Sequence, residues 1–113
     1  MLTLVVTTRD RVRTLNDQLR QQQTGGTIVT TPGVRALGAA AVAATLRAIA
    51  AFDDFGAYND PFDEHEFGSV VIEGQTVWFK VEAYDLDLRW HSPDPADPAV
   101  THRIMTLMLP REY

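Results

Sequence analysis

Between Thr76 and Tyr84 the chain alternates without a break. Val77, Phe79, Val81 and Ala83 fall on one side, and Trp78, Lys80, Glu82 and Tyr84 on the other. A period of two marks a strand, and one wholly apolar side obliges another part of the chain to cover it. Phe67 to Ile72 reads as a preceding strand, with Glu73-Gly74 as a hairpin turn between the two. Arg103 to Leu109 alternates Ile104, Thr106 and Met108 with Met105, Leu107 and Leu109. Apolar residues on both sides predict an interior strand, stopped by Pro110. The β-branched run Thr27 to Thr31, between Gly25-Gly26 and Pro32-Gly33, predicts a short fourth strand.

Two helices can supply the cover. Thr8 to Gln23 has Thr7 or Thr8 as its cap, Asp10 in its first turn, and Gly25-Gly26 at its end. Val12, Leu15 and Leu19 share one face of it, and its arginines lie mostly off that face. Val34 to Phe52 predicts a second, continuous helix with a broad apolar stripe, slightly weakened at Gly38. Met1 to Val6 reads as a short strand or a lead-in. Residues 1–113 thus form a single α+β domain: an antiparallel or mixed sheet of about four strands with two helices packed on one face. The expected core is Val42, Leu46, Ile49, Phe52, Val77, Phe79, Val81, Ile104 and Leu107. Leu86 to Trp90 either extends its strand or turns away. Ser92 to Ala99, with three prolines and two aspartates, predicts a stiff loop with Asx-type turns at Asp94 or Asp97.

Composition removes several kinds of chemistry. The chain has no cysteine, so it has no disulfide, thiolate metal site or cysteine nucleophile, which fits a cytoplasmic protein. Its longest apolar window, Ala39 to Phe52, contains Arg47 and is too short to span a bilayer, and no signal peptide is visible. The two serines, Ser69 and Ser92, lie in no nucleophile elbow. No phosphate loop follows either glycine turn. No cofactor is expected.

Charge is more informative. The 113 residues carry a net charge of −5, but residues 1–52 are at +4 and residues 53–113 at −9. That balance opposes direct nucleic-acid binding, and Arg9, Arg11, Arg13 and Arg20 on the first helix form the only basic patch. The plain reading of the asymmetry is a solvated or self-neutralising surface. The sharper one is an acidic surface that meets a basic partner. Asp60, Asp63, Glu64, Asp85 and Asp87 are the candidate contacts for a basic protein surface, with Tyr84 and Trp90 as aromatic anchors.

The same segments bear on metal binding. Asp60 to Glu66 concentrates carboxylates around His65, and Asp85 and Asp87 share one side of the chain if it is extended. Neither spacing matches HExxH or an EF-hand. No metal site is expected; His65, Glu66, Asp85 and Asp87 are the ligands a metal would find. The plain reading has His65 bonded to a neighbouring carboxylate or backbone group, and Asp85 and Asp87 paired with Arg89, Arg103 or an arginine of the first helix.

Several of these segments carry a resemblance. Leu15-Asn16-Asp17, Thr31-Pro32-Gly33-Val34, Phe52-Asp53-Asp54-Phe55 and Asn59-Asp60-Pro61 are part of it. So are Glu64-His65-Glu66-Phe67-Gly68, Tyr84-Asp85-Leu86-Asp87, the run Ser92 to Pro98, Thr106-Leu107-Met108-Leu109 and Glu112-Tyr113. From Val12 to Tyr113 the chain resembles a small proteobacterial domain family of unknown function, often encoded near plasmid and mobile-element genes. The resemblance implies no activity. Its setting implies a mobile-element accessory or counter-defence role.

The leading expectation is therefore a non-enzymatic acidic interaction protein, for example an inhibitor of a nucleic-acid-binding effector. The alternatives are a metal-dependent hydrolase using His65 with nearby carboxylates, and a structural or oligomeric module joined through the Trp78/Tyr84 strand face. Oligomeric state is not legible in the sequence.

Overall fold

The computed structural model describes residues 6–113, so most of the predicted lead-in Met1 to Val6 lies outside the described residues. Helix α1, Thr8–Gln22, begins in a capping box: the Asp10 amide donates to Thr7 Oγ1 at 3.1 Å and the Thr7 amide to Asp10 Oδ2 at 3.2 Å. It stops two residues ahead of Gly25, where Gln23 takes a left-handed conformation at φ 59°. Its buried residues are Val12, Asn16, Leu19 and Arg20, so the inward face is turned from the expected one and includes an arginine.

Strand β1, Thr27–Thr30, leads into α2, Pro32–Arg35, and then α3, Ala39–Ala51. The expected continuous helix is thus two helices. Thr31 caps α2 with Pro32 in its first turn. Gly38 sits at φ +97°, a conformation that side chains disfavour, and redirects the chain into α3. β2, Phe67–Ile72, and β3, Gln75–Tyr84, form the hairpin, and β4, His102–Met108, completes the set.

The sheet order is β1-β4-β3-β2, with β1 parallel to β4 and the other pairs antiparallel. It is a mixed sheet with β4 interior, within an α+β fold. Register sets the layers. Phe79 lies opposite Leu107, and Val81 opposite Met105. With Val77 they form the inner face, fully buried or nearly so, against Leu19 of α1, Val34 of α2 and Ile49 of α3. Val42, Leu46 and Phe52 pack partly buried around this cluster.

One expected core residue moves out. Ile104 lies opposite Glu82 on the other face, and Met105 takes its place. Leu19, Val34 and Ile49 of the three helices pack on the inner face. The other face carries Trp78, Lys80, Glu82, Tyr84 and Ile104 half-buried, with Tyr113 of the C-terminal turn against Trp78 and Lys80. At β2 the rings of Phe79 and Phe52 press so closely on Gly68 that an added Cβ would lie 2.4 Å and 2.7 Å from them.

The proline-rich loop has the expected Asx-type turns, at both Asp94 and Asp97. Asp94 Oδ1 accepts from the Ala96 amide at 3.2 Å and Asp97 Oδ1 from the Ala99 amide at 2.9 Å. Thr101 Oγ1 donates to Asp94 O at 2.8 Å, and Arg103 donates to Pro95 O. Arg103 is 2 % exposed and also donates Nε–H to Asn16 Oδ1 at 2.8 Å. It serves neutral oxygens rather than the carboxylates expected for it. Among the described residues, no helix is long and apolar enough to cross a membrane.

Candidate functional site

The residues singled out from sequence fall into two groups. The first is the loop 53–66. Asn59 folds its start, accepting from the Gly56 amide at 2.8 Å and donating to Asp54 O at 3.0 Å. Asp60 folds its end: its Oδ1 accepts from the amides of Glu64 and His65 at 3.0 and 3.2 Å. To coil round that carboxylate, Asp63 and His65 both take φ 56°. Asp60 is therefore 6 % exposed and is not offered to a partner, contrary to its expected role.

Helix α1 grips this loop. Arg13 donates to Asp63 Oδ2 at 2.7 Å and to its carbonyl at 3.1 Å, and Asn16 donates to Glu64 O at 2.9 Å. Asp63 is exposed but already ion-paired. Arg20 is buried at 2 % exposure and donates to Ile49 O at 3.0 Å and Phe52 O at 2.7 Å, so it closes the C-terminus of α3. Its other nitrogen meets Asp17 Oδ1 at 2.9 Å. Phe55 lies between, stacked on the His65 ring at 3.9 Å and 6°, with the Arg20 guanidinium 5.2 Å from its centroid.

His65 is held at one ring nitrogen. Its Nδ1 is 2.9 Å from Asp17 Oδ1, and its Nε2 is 3.8 Å from both Asp60 Oδ2 and Asp63 Oδ1. An ionised carboxylate only accepts, so Nδ1 carries the proton shared with Asp17. Glu66, Asp85 and Asp87, expected as possible companions of His65, are not in this group; Asp60 and Asp63 take their place. Asp17 and Arg20 were missed as site residues. The available signal was their i, i+3 spacing on α1 beside a polar Asn16 on an otherwise apolar face.

The second group surrounds the end of β3. The chain turns back at Asp85 rather than extending the strand. The Asp85 amide donates to Trp90 O at 2.8 Å, the Leu88 amide to Asp85 O at 3.1 Å, and the Arg89 amide to Asp85 Oδ1 at 3.0 Å. Asp85 therefore builds the turn, and it pairs with the Arg89 backbone rather than its guanidinium. The turn displays apolar side chains: Leu86 is 62 % exposed, Leu88 50 % and Trp90 75 %. Asp87 is exposed among them. Tyr84 stacks parallel to His91 and donates its hydroxyl to Glu82 Oε2 at 2.8 Å.

A groove of about 370 Å³ adjoins the base of this turn. Glu64, Glu66 and Glu82 line it with Lys80 and His91, over a floor that includes Val12 and Val81. Burial, helped by the nearby charges of Glu64 and Asp60, pushes the Glu66 carboxyl above its ordinary range. The groove suits a cationic group with an apolar stem: positive charge relieves the crowded carboxylates while the floor accepts methylenes.

Neither a curated protein nor a solved structure matches the chain. One family model does, that of "Protein of unknown function (DUF3768)". It spans residues 30–112, from the last residue of β1 to the C-terminal turn, and leaves α1 with Asp17 and Arg20 outside the matched span. By that match over most of its length, the chain belongs to the DUF3768 family.

Proposed function

We propose that this chain is a non-enzymatic interaction protein that binds a basic protein surface through the acidic groove and the apolar turn beside it. The observation that carries this reading is that Ala83 and His91, on either side of the turn, both line the acidic groove. The groove holds three carboxylates, and the hydrogen-bonded turn that leaves it displays Leu86, Leu88 and Trp90, large apolar side chains half or more exposed. An exposed apolar cluster rimmed by charge is the usual composition of a protein contact: the aromatic supplies binding energy, and the charges supply orientation and association rate. The charge of −9 over residues 53–113 gives such a surface a field that attracts cations.

The contact residues of this proposal are Glu64, Glu66, Glu82, Tyr84, Asp87 and Trp90. Asp60 leaves the set because it is buried, Asp63 because Arg13 neutralises it, and Asp85 because it holds the turn. A nucleic-acid-binding effector, whose phosphate-binding surface is basic, is one partner of the right chemistry, in keeping with an accessory or counter-defence role.

The test is affinity capture from the native host at low and high salt, with wild type, Trp90→Ala and Glu64→Gln/Glu82→Gln as baits. Wild type should retain a basic protein that both variants lose, and high salt should weaken its retention. Equal capture by all three baits, or capture indifferent to salt, would remove this surface from consideration.

A further inference from the structure

We infer that Asp60, Asp63 and His65 form a binding site for a divalent cation of zinc's type. Its three ligands are not contact residues of the proposed surface, although Glu64 and Glu66 of that surface alternate with them along the chain. Three donor atoms, one nitrogen and two carboxylate oxygens, lie within 4.8 Å of one another. Two further observations point the same way.

The first is the orientation of His65. Asp17, from α1, fixes the Nδ1 proton at 2.9 Å and is itself held by Arg20 at 2.9 Å. In the neutral Nδ1–H tautomer the Nε2 lone pair faces Asp60 Oδ2 and Asp63 Oδ1. A carboxylate behind a histidine whose far nitrogen faces other ligands is the arrangement that orients and strengthens metal-binding imidazoles. The second is Asp60. Its side chain is only 2 % exposed, and its Oδ1 is committed to two backbone amides. Its Oδ2 accepts no hydrogen bond among the described residues and is aimed at Nε2 from 3.8 Å, beyond hydrogen-bond reach. A cation between these atoms gives that oxygen the partner it lacks.

The separations suit the ion. Bonds of about 2.0–2.2 Å place tetrahedral ligand atoms roughly 3.4 Å apart, so the two 3.8 Å gaps to Nε2 need close by only a few tenths of an ångström, while the two carboxylate oxygens lie within 4.8 Å of each other. An imidazole among the donors favours zinc over magnesium, which prefers an all-oxygen shell. Asp63 is 63 % exposed at its side chain, so the site opens to solvent and remaining coordination positions fall to water.

The experiment is a titration of the untagged full chain with zinc alone, followed by the ring signals of its three histidines in NMR and by calorimetry. The proposal requires saturation at one ion per chain, with His65 signals moving while those of His91 and His102 stay in place. Asp63→Asn retains the Asp63 carbonyl that Arg13 also binds and an amide oxygen for Arg13, its fold is checked by its melting temperature, and it should weaken binding by at least about 10-fold. Asp17→Asn should weaken it by roughly 10-fold while leaving the ligand set intact. Millimolar magnesium should not compete. Shifts at His91 or His102 with His65 unmoved, zinc affinity unchanged in Asp63→Asn, or no zinc binding at millimolar concentration would each overturn the assignment.

Discussion

The loop 53–66 and the turn Asp85–Trp90 carry the same kinds of residue. Each has carboxylates, aromatic side chains and at least one left-handed residue: Asp63 and His65 in the loop, Leu88 in the turn. The fold uses them in opposite ways. In the loop, Asp60 accepts backbone amides, Asp63 meets Arg13, Phe55 lies between His65 and Arg20, and α1 holds the whole. In the turn only Asp85 faces inward, and Leu86, Asp87, Leu88, Arg89 and Trp90 are exposed. Negative charge in a sequence is thus no measure of negative charge on offer. A carboxylate that builds a loop is unavailable to a protein surface, whereas a turn closed by backbone hydrogen bonds leaves its side chains free.

The strongest way to break this comparison is through the core beneath the loop. Phe79 is fully buried and meets Phe52 and Phe55 edge-on, with centroids 5.5 and 6.4 Å away. Phe79→Ala should cost about 3–5 kcal/mol in chemical denaturation. It should also release the loop, visible as amide exchange across residues 53–66, while the turn keeps its protection. A midpoint close to wild type would mean that the aromatic cluster does not hold the loop.

Arg20→Met comes next. It leaves the Ile49 and Phe52 carbonyls without their donor and frees Asp17, which should cost about 3 kcal/mol by the same measurement. The His65 ring environment should change with it. By contrast, Trp90→Ala should shift stability by no more than about 0.5 kcal/mol, since the ring is 75 % exposed. A loss of several kcal/mol there would show that the turn is as structural as the loop.

The smallest effects concern protons, and they have opposite signs. Glu66 has its folded-state pKa raised, chiefly by burial. Its contribution is favourable below its unfolded pKa and is lost as pH rises through the folded one, so Glu66→Gln should slightly raise the neutral-pH melting temperature. Glu112 is the reverse. Its carboxylate accepts from Thr31 Oγ1 at 2.6 Å and from the Leu109 and Gly33 amides at 2.9 Å, and these bonds lower its pKa. Its contribution is present above the unfolded pKa and disappears as pH falls through the folded one. Glu112→Gln should therefore lower the melting temperature at pH 7, with the difference from wild type closing under acid.

The alternation of Thr76 to Tyr84 by itself determined a strand with one face to bury, because side chains in an extended chain can only point to two sides. The double-sided run after Arg103 likewise determined an interior strand, and the prolines and aspartates of residues 92–99 a loop of Asx-type turns. Such signals are local and repeat at the period of the backbone. Three things were settled only in three dimensions. Register placed Ile104 outward and Met105 inward, which a strand apolar on both sides leaves open. Gly38 divided the second helix, since a single glycine is tolerated within a helix until packing asks for the angle it permits. The arginines Arg20 and Arg103 went inside, although isolated positive charges read as surface. Partners 29 or more residues away in sequence, the carbonyls ending α3 and the Asn16 side chain, make that burial affordable. The group around His65 has the same origin. Asp17 is 48 residues from His65, and no spacing rule joins two residues that meet only because α1 packs across the loop.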